Sequence, residues 1–279
     1  ALTPERIAAA IGNAASFSGG ILQSFADGTD EWRYQVGVAG RNGLVAAELA
    51  AAGSVTAPHA IEGKSGFVRA FAQVDCDVDA LASKLGREWS IHRVTFKPFP
   101  VCAFNQTPVT AALDFRKKLG GRRLNAVRVR MNPYETGYAG MDSKGPFSTI
   151  SGTLMSIPFC IALTILRGEP TMAAMTTYDD GQVNALVDRI DLVSDEGVAQ
   201  LCCIIEAELE GGESLVVEQN MTTEDYNYDR ATVSRMIRRI GSEEGVPAAA
   251  YDMIESFVSG LSDADIRKAV DAFTLCPRP

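Results

Sequence analysis

The clearest pattern in the middle of the chain is an alternation of apolar and polar side chains. Residues 124–131 alternate in this way, as expected of a β-strand with one buried face. The apolar side chains of that face are Val127, Val129 and Met131. Two further alternating runs, residues 202–209 and 214–219, flank Gly211 and Gly212. Alternating runs on both sides of a Gly-Gly pair predict a β-hairpin.

Helical patterns occupy both ends of the chain. Thr3 followed by Pro4 predicts a helix start, because the hydroxyl caps free N–H groups and proline fits the first helical position. This small-residue-rich helical segment is expected to reach about Phe25. The other helices expected at the two ends cover residues 43–52, a turn and helix at 61–71, then 77–85, 232–240, 248–261, and a last helix capped by Ser262 and Asp263 that reaches Phe273.

Between these ends, helices and extended segments mix. Residues 91–96 are rich in β-forming side chains, and residues 134–147 are expected to form a loop. Helices are predicted at residues 107–118, 153–167 and 183–190, the last followed by a short strand to Val193.

The order of these elements predicts an α+β, mainly helical fold. Residues 1–95 are expected to form the first part of an all-α domain, residues 96–221 a smaller α+β insertion, and residues 222–279 helices that return to the first domain.

Charge narrows the range of partners. The 279 residues carry a formal net charge of −9, which argues against a nucleic-acid partner, because affinity for that backbone comes from clustered Lys and Arg. The densest basic runs are interpreted as solvated helix ends. These runs are Arg116-Lys117-Lys118 with Arg122-Arg123, and Arg235 with Arg238-Arg239.

Cysteine and histidine usage gives little support for a metal site. The six cysteines include no C-x-x-C pair, and the chain has two histidines, His59 and His92. The longest apolar run, residues 154–166, is too short to cross a bilayer, and the N-terminus has no secretory-signal pattern. We therefore expect reduced thiols and a soluble, cytoplasmic protein that does not associate with a membrane.

Lys97 is the leading catalytic candidate. It opens the run Lys97-Pro98-Phe99-Pro100, hereafter the proline segment, in which two prolines prevent regular pairing and stiffen the chain at the expected domain junction. Burial in a cleft would favour the neutral amine, a usable base, whereas the ammonium would bind a carboxylate and stabilise enolate-like charge. The alternative is an ordinary surface lysine.

Four more residues are candidates for the same chemistry. Tyr138 is a candidate proton donor in the loop after the first strand, with Tyr134 beside it as a substrate contact, although both could be half-buried loop aromatics. Arg41 could clamp a carboxylate bidentately or form a structural ion pair. Cys102 is a candidate substrate contact, but no histidine near it in sequence would activate it, so an inert thiol is the alternative.

An ordered set of short runs resembles the MmgE/PrpD family. Each run is a weak signal alone, but their order and approximate spacing match across nearly the whole chain. The runs are Leu2-Thr3-Pro4-Glu5-Arg6-Ile7, Gly40-Arg41-Asn42-Gly43-Leu44, Glu62-Gly63, Gly66-Phe67-Val68-Arg69-Ala70-Phe71, Phe96-Lys97-Pro98-Phe99-Pro100-Val101-Cys102, Ser156-Ile157-Pro158-Phe159, and Leu166-Arg167-Gly168.

The resemblance implies a large helical domain with a smaller α+β lid, an active site between them, and a homodimer. It also implies a cofactor-free lyase or isomerase of the type of 2-methylcitrate dehydratase, cis-aconitate decarboxylase or iminodisuccinate epimerase. Because family members extend further at the N-terminus, the chain is expected to correspond only to their C-terminal part.

Several positions depart from the family pattern. Gln35 stands in the segment where the family often has His-Pro-Gly or His-Ala-Gly, and Val38 replaces the lysine of the decarboxylases. Ala103 and Gln106 occupy positions where many members have Arg and His. Two alternatives to an independent enzyme therefore stay open: an incomplete subunit that needs a partner chain to supply an N-terminal helical part, and a structural binding module.

Overall fold

The computed structural model describes residues 2–277, and these form two compact units. The first unit comprises residues 2–24 and Thr29–Val94. The second comprises Phe25–Gly28 and the chain from Thr95 onward. The fold is α+β and mainly helical, as predicted, with one four-stranded sheet in the described part of the chain. The α helices are α1 (Pro4–Ser16), α2 (Gln23–Asp27), α3 (Trp32–Ala51), α4 (Phe67–Ala72), α5 (Val78–Ala82), α6 (Gln106–Leu119), α7 (Pro133–Thr136), α8 (Ile150–Met155), α9 (Ile157–Arg167), α10 (Met172–Met175), α11 (Gly181–Val187), α12 (Arg230–Glu243), α13 (Ala248–Ser259) and α14 (Ile266–Thr274).

The first unit is built on the packing of α1 against α3. Thr3 caps α1 through a hydrogen bond that its hydroxyl accepts from the N–H of Arg6, as the sequence predicted. Ala46 and Ala50 are the buried residues of α3, and their small side chains allow the two helices to approach closely. Asn13 on α1 strengthens this contact, because its side chain donates to the hydroxyl of Ser54 at 3.0 Å.

Two boundaries in the first unit differ from the prediction. The first helix ends at Ser16 rather than near Phe25, because Gly20 adopts a φ of +126° that a continuing helix excludes. The helix predicted at residues 43–52 begins earlier, at Trp32. Residues 91–96 form no strand; Ser90–Arg93 is instead a 3-10 helix, because no neighbouring strand pairs with this segment in the described chain.

The second unit contains the sheet, in the order β2-β1-β3-β4. Its strands are β1 (Leu124–Met131), β2 (Ile190–Ser194), β3 (Cys202–Leu209) and β4 (Ser214–Asn220). β1 and β3 match the prediction at both ends, and β4 extends the predicted run by one residue. β1 pairs parallel with β2 and antiparallel with β3, so Val129 lies between Leu192 and Ile205.

One face of the sheet carries the core of this unit. Val127, Val129 and Met131 are buried, as their alternation predicted, under helices α6 and α9. Phe115 of α6 and Ile161 of α9 are completely buried in the same core. The opposite face presents charged side chains such as Arg130, whose guanidinium contacts Asp195 at 2.7 Å and Glu206 at 2.9 Å.

Three further predictions need local correction. Residues 153–167 are not one helix, because Pro158 begins a new one and the hydroxyl of Ser156 caps it by accepting from the N–H of Phe159. The loop predicted at residues 134–147 contains the one-turn helix α7. The last helix is capped by Asp265, not by Ser262 and Asp263.

Residues 222–277 belong to the second unit in the structure. The three-part division at residues 95 and 221 stays a prediction. Within residues 2–277, no helix combines the length and the apolar character needed to cross a bilayer.

Candidate active site

The proline segment is held at the N-terminal end of α6 by one side chain, that of Gln106. Its oxygen accepts from the N–H of Phe99 at 3.1 Å, and its nitrogen donates to the carbonyls of Phe99 and Val101, each at 3.1 Å, and of Cys102 at 3.2 Å. Gln106 is only 2% exposed. A residue that counted as a departure from the family pattern therefore serves here to position the backbone that follows Lys97.

Other contacts complete the anchoring. The side-chain nitrogen of Asn105 donates to the carbonyls of Leu154 and Met155, each at 2.9 Å. The N–H of Cys102 donates to the same Leu154 carbonyl at 3.0 Å, and Arg239 donates to the carbonyl of Pro98 at 2.6 Å. The backbone of the proline segment and of the residues that follow it is thus fixed by hydrogen bonds to α6, α8 and α12 of the same unit.

Lys97 itself is exposed, so the burial expected from the sequence is absent in the structure. No hydrogen bond or ion pair of its ammonium is found within residues 2–277. The ammonium is nevertheless close enough to Cys102 to act on that thiol electrostatically. An exposed cation on a fixed backbone is suited to bind an anionic group arriving from solvent.

Two candidate tyrosines lie next to this segment. The ring of Phe104, two residues after Cys102, contacts the ring of Tyr134 at 5.7 Å and that of Tyr138 at 5.4 Å, both edge-on. Tyr134 is 61% exposed, whereas Tyr138 is half-buried. Asn132 fixes the start of α7, because its side chain accepts from the N–H of Tyr134 and donates to the carbonyl of Val198. The structure therefore brings Tyr134 and Tyr138 to Phe104, two residues after Cys102, the thiol on which Lys97 acts electrostatically.

The Cys102 thiol is half-buried, and its environment favours the neutral form. Burial raises the pKa of Cys102, while the N–H groups of Phe104 and Ala103 and the charge of Lys97 partly oppose that shift. A thiol with a raised pKa is a poor nucleophile at neutral pH. Cys102 can therefore contribute shape and a weak polar contact rather than a thiolate.

Glu135 was not identified from the sequence. It is 1% exposed, and one carboxyl oxygen accepts from the N–H of Leu201 at 3.1 Å, while the other has no hydrogen-bond partner in the described chain. Burial raises the pKa of Glu135. Burial also raises the pKa of nearby Tyr226 to about 12. The hydrogen bond between the hydroxyls of Tyr226 and Thr107, at 2.7 Å, opposes part of this shift. No local pattern marks a buried carboxyl in a one-turn helix, since glutamate in a first helical turn is ordinarily exposed.

Arg41, the remaining candidate, belongs to the first unit. It lies on α3, is exposed, and donates to the side chain of its neighbour Asn42 at 3.2 Å. The alternative of a structural ion pair is not realised for Arg41 among residues 2–277. Within the same residues there is no group of three or more His, Cys, Asp or Glu side chains arranged to hold a metal ion.

Comparison with protein-family models assigns both parts of the chain. Residues 1–77 match the MmgE/PrpD N-terminal domain, and residues 99–236 match the MmgE/PrpD C-terminal domain. The chain belongs to the MmgE/PrpD family. The family resemblance is confirmed, but the assignment to the C-terminal part alone was wrong, because the segment before residue 78 is itself part of an N-terminal domain.

Members of the MmgE/PrpD family are typically dehydratases and other lyases that act on small carboxylates. Tyr134, Tyr138 and Cys102 lie within the matched C-terminal domain, and Arg41 lies within the matched N-terminal domain. Lys97 lies two residues before the C-terminal match begins. No individual curated protein matches the chain.

Proposed function

We propose that this MmgE/PrpD protein is a lyase or isomerase that acts on a small di- or tricarboxylate without a cofactor. The observation that supports the proposal is the contact of Tyr134 and Tyr138 with Phe104, close in sequence to the backbone that Gln106 holds after Lys97. A lysine ammonium can bind a substrate carboxylate, and a tyrosine hydroxyl can transfer a proton, when both are held in fixed positions.

In this proposal Lys97 acts through its ammonium, because the burial that would favour the neutral amine is absent. The ammonium binds a substrate carboxylate while another group of the site takes the proton from the neighbouring carbon. The electron pair of the broken C–H bond is delocalised into the carboxylate as an enolate-like state, and the ammonium stabilises that charge.

Tyr138 supplies the second proton transfer. If a hydroxyl leaves from the neighbouring carbon, the Tyr138 O–H protonates it, so that water departs and a C=C bond forms. If no group leaves, return of a proton to the opposite face of the carbon gives an epimer. In a decarboxylation, loss of CO₂ forms the same carbanion-like state, which Tyr138 then protonates. Tyr134, more exposed than Tyr138, is assigned a contact to substrate.

Proton abstraction itself is the best test, because it is common to elimination and epimerisation. The chain is incubated in D₂O with a panel of small di- and tricarboxylates, and proton NMR follows exchange of the C–H next to each carboxylate together with product and CO₂ formation. We expect exchange or turnover with at least one compound. Lys97→Ala should lower the rate about 100-fold or more, the range expected when one group that stabilises the transition-state charge is removed.

Lys117→Ala provides the matched control, because Lys117 is another exposed lysine of the same unit, on the last turn of α6. It should leave the rate unchanged. Tyr138→Phe should slow product formation more than Tyr134→Phe. Equal rates for the native chain and Lys97→Ala would refute the role of Lys97, and absence of exchange with every compound, in a chain shown to be folded, would refute an independent enzyme.

One observation favours the second candidate, a subunit that acts with a partner chain or a second copy of itself. On α3 of the first unit, Tyr34, Val38 and Val45 share one helix face by their spacing and are 73%, 43% and 39% exposed. Apolar side chains exposed together on one element are typical of an interaction surface. Sedimentation of the purified chain distinguishes a stable dimer from a monomer. A monomer that becomes active only when a separate helical chain is added would favour the partner-dependent subunit.

A further inference from the structure

A groove of about 800 Å³ in the second unit is lined by residues other than those of the candidate active site. It is formed by the last turn of α6, the start of β1, the ends of α9 and α11, and the turn before β4. We call it the arginine groove, because four arginines line it: Arg116, Arg122, Arg123 and Arg189. Arg116, Arg122 and Arg123 belong to the basic run that the sequence suggested to be a solvated helix end. Arg189 is far from them in sequence and is brought to the groove by folding.

The charge of the groove is opposite to that of the protein. Glu210 is the one acidic residue that lines it, so the lining carries an excess of positive charge in a chain whose formal net charge is −9. A concentrated patch of positive charge in a concave, low-dielectric surface attracts anions more strongly than the net charge suggests. The groove is therefore able to attract an anion although the protein as a whole is acidic.

Two of the four guanidinium groups have no carboxylate partner within residues 2–277. Arg116 donates to the main-chain carbonyl of Ile165 at 2.6 Å, and Arg189 donates to that of Asn125 at 3.0 Å. Each of these bonds uses one N–H and restricts the side chain, so the remaining N–H groups are available to a ligand. A guanidinium held in this way binds an oxyanion with less loss of side-chain entropy.

The other two arginines form only exposed ion pairs with carboxylates, and Arg122 also donates to the main-chain carbonyls of Leu119 at 2.9 Å and Lys118 at 2.6 Å. Arg123 contacts Glu210 at 3.8 Å with both side chains largely exposed, and Arg122 contacts Glu213 at 3.1 Å, also exposed. Exposed ion pairs of this kind contribute about 0–1 kcal/mol. An arriving anion can therefore compete with both carboxylates.

The floor of the groove is apolar. Leu119, Ile165 and Leu186 are at least nine-tenths buried and belong to the core of the unit, and Leu124 and Leu166 pack against that core. Core side chains give a floor of constant shape, which suits a hydrocarbon or aromatic group. The rim and the floor thus present two different chemistries to one ligand.

We propose that the arginine groove is a binding site for an organic anion that combines an apolar body with a phosphate or carboxylate group carrying two or more negative charges. The apolar body packs on Leu119 and Leu186, and the oxyanion accepts hydrogen bonds from Arg116 and Arg189. The volume of about 800 Å³ exceeds what a small dicarboxylate fills, which favours a larger ligand. The proposal does not depend on the reaction proposed above.

The test uses 1-naphthyl phosphate, which has both features, with inorganic phosphate and 1-naphthol as probes that have one each. Titration calorimetry of the full chain should give saturable binding of 1-naphthyl phosphate, and binding of inorganic phosphate and of 1-naphthol at least about tenfold weaker. Affinity for 1-naphthyl phosphate should fall as salt is raised, because exposed charges are screened. Absence of saturable binding of 1-naphthyl phosphate up to about 10 mM would overturn the proposal.

The double variant Arg116→Gln with Arg189→Gln should lower the affinity about 100-fold, since two charge-assisted hydrogen-bond donors are lost. The matched control is Arg235→Gln with Arg267→Gln, which removes the same charge from exposed arginines on α12 and α14 and should change affinity less than twofold. Equal losses in the two double variants would overturn the proposal, because they would show attraction to overall charge only.

A third variant controls for loss of binding that is caused by misfolding. Arg123→Gln removes a groove arginine whose contact in the structure is the exposed ion pair with Glu210, so the fold should be unaffected. Its affinity for 1-naphthyl phosphate should fall about threefold to tenfold, with an unchanged circular dichroism spectrum. Unchanged affinity in both this variant and the Arg116→Gln, Arg189→Gln double variant would also overturn the proposal.

Discussion

Gln106 offers the sharpest test of how this MmgE/PrpD chain holds its candidate site. Its buried side chain makes four hydrogen bonds to the backbone of Phe99, Val101 and Cys102. Gln106→Ala removes all four and leaves the polar main-chain groups of a half-buried segment without their partner. It also leaves a space where the side chain was, since Gln106 is 2% exposed.

The magnitude follows from these contacts. The side-chain nitrogen has two hydrogens for three carbonyls, so about three effective hydrogen bonds are lost. Each contributes about 1 kcal/mol net, and an unsatisfied buried group costs about 1–3 kcal/mol where water does not replace the lost partner. We expect Gln106→Ala to lower the free energy of unfolding by about 3–5 kcal/mol. The rate with any substrate should fall as well, because the backbone following Lys97 is no longer held.

Urea unfolding followed by far-ultraviolet circular dichroism measures the effect. Both tryptophans, Trp32 and Trp89, lie in the first unit, so their fluorescence reports on that unit and serves as a separate probe. Gln182→Ala is the matched control, because Gln182 is exposed and its side chain accepts one hydrogen bond, from Arg167. It should cost less than about 0.5 kcal/mol. A loss below about 1 kcal/mol for Gln106→Ala would refute the reasoning.

Two further predictions concern stability. Burial raises the pKa of Glu135, so the folded state favours its protonated form, and this contribution is present below about pH 4.3 and is lost as pH rises through the raised pKa. Relative to Glu135→Gln, the native chain should therefore lose stability as the pH rises from about 4.3 through the raised pKa of Glu135, and parallel stability curves from urea titrations would contradict this. Gly140→Ala should cost about 3 kcal/mol or more, because φ is +81° and the added carbon would collide with the carbonyl oxygen of Phe25. Gly121→Ala is the control, because Gly121 also has a positive φ, +82°, but no heavy atom lies within 4 Å of the added carbon. It should lower the free energy of unfolding by only about 1 kcal/mol. Thermal melts of both variants measure the difference, and equal losses of stability would exclude the collision.

Much of the sheet unit could be predicted from the sequence, because local chemistry decides it. Alternation of apolar and polar residues fixes which face of β1 is buried whatever packs on it, and the pair Gly211-Gly212 allows the tight turn between β3 and β4. The start of α1 depends on the adjacent residues Thr3 and Pro4. The family assignment also rests on local runs in order, although the extent of the N-terminal domain was missed.

The functional features were decided by contacts between residues far apart in sequence. Lys97 remains a candidate from the sequence, but its exposure depends on what packs around it, and the expected burial is absent. Glu135 is buried in the packed chain and accepts a hydrogen bond from the N–H of Leu201, a residue far from it in sequence. Arg41 and Lys97, both candidates from one sequence argument, lie in separate compact units.

The sequence by itself thus determined the alternation in β1, the cap of α1, the turn between β3 and β4, and the family, because each depends on short local runs of residues. Tertiary structure alone decided that Gln106 holds the proline segment, that Tyr134 and Tyr138 meet Phe104, and that Arg189 joins Arg116. The physical reason is that burial and proximity are properties of the packed chain. A local pattern shows which side chains can be buried or paired, and only the packed elements determine which of them are.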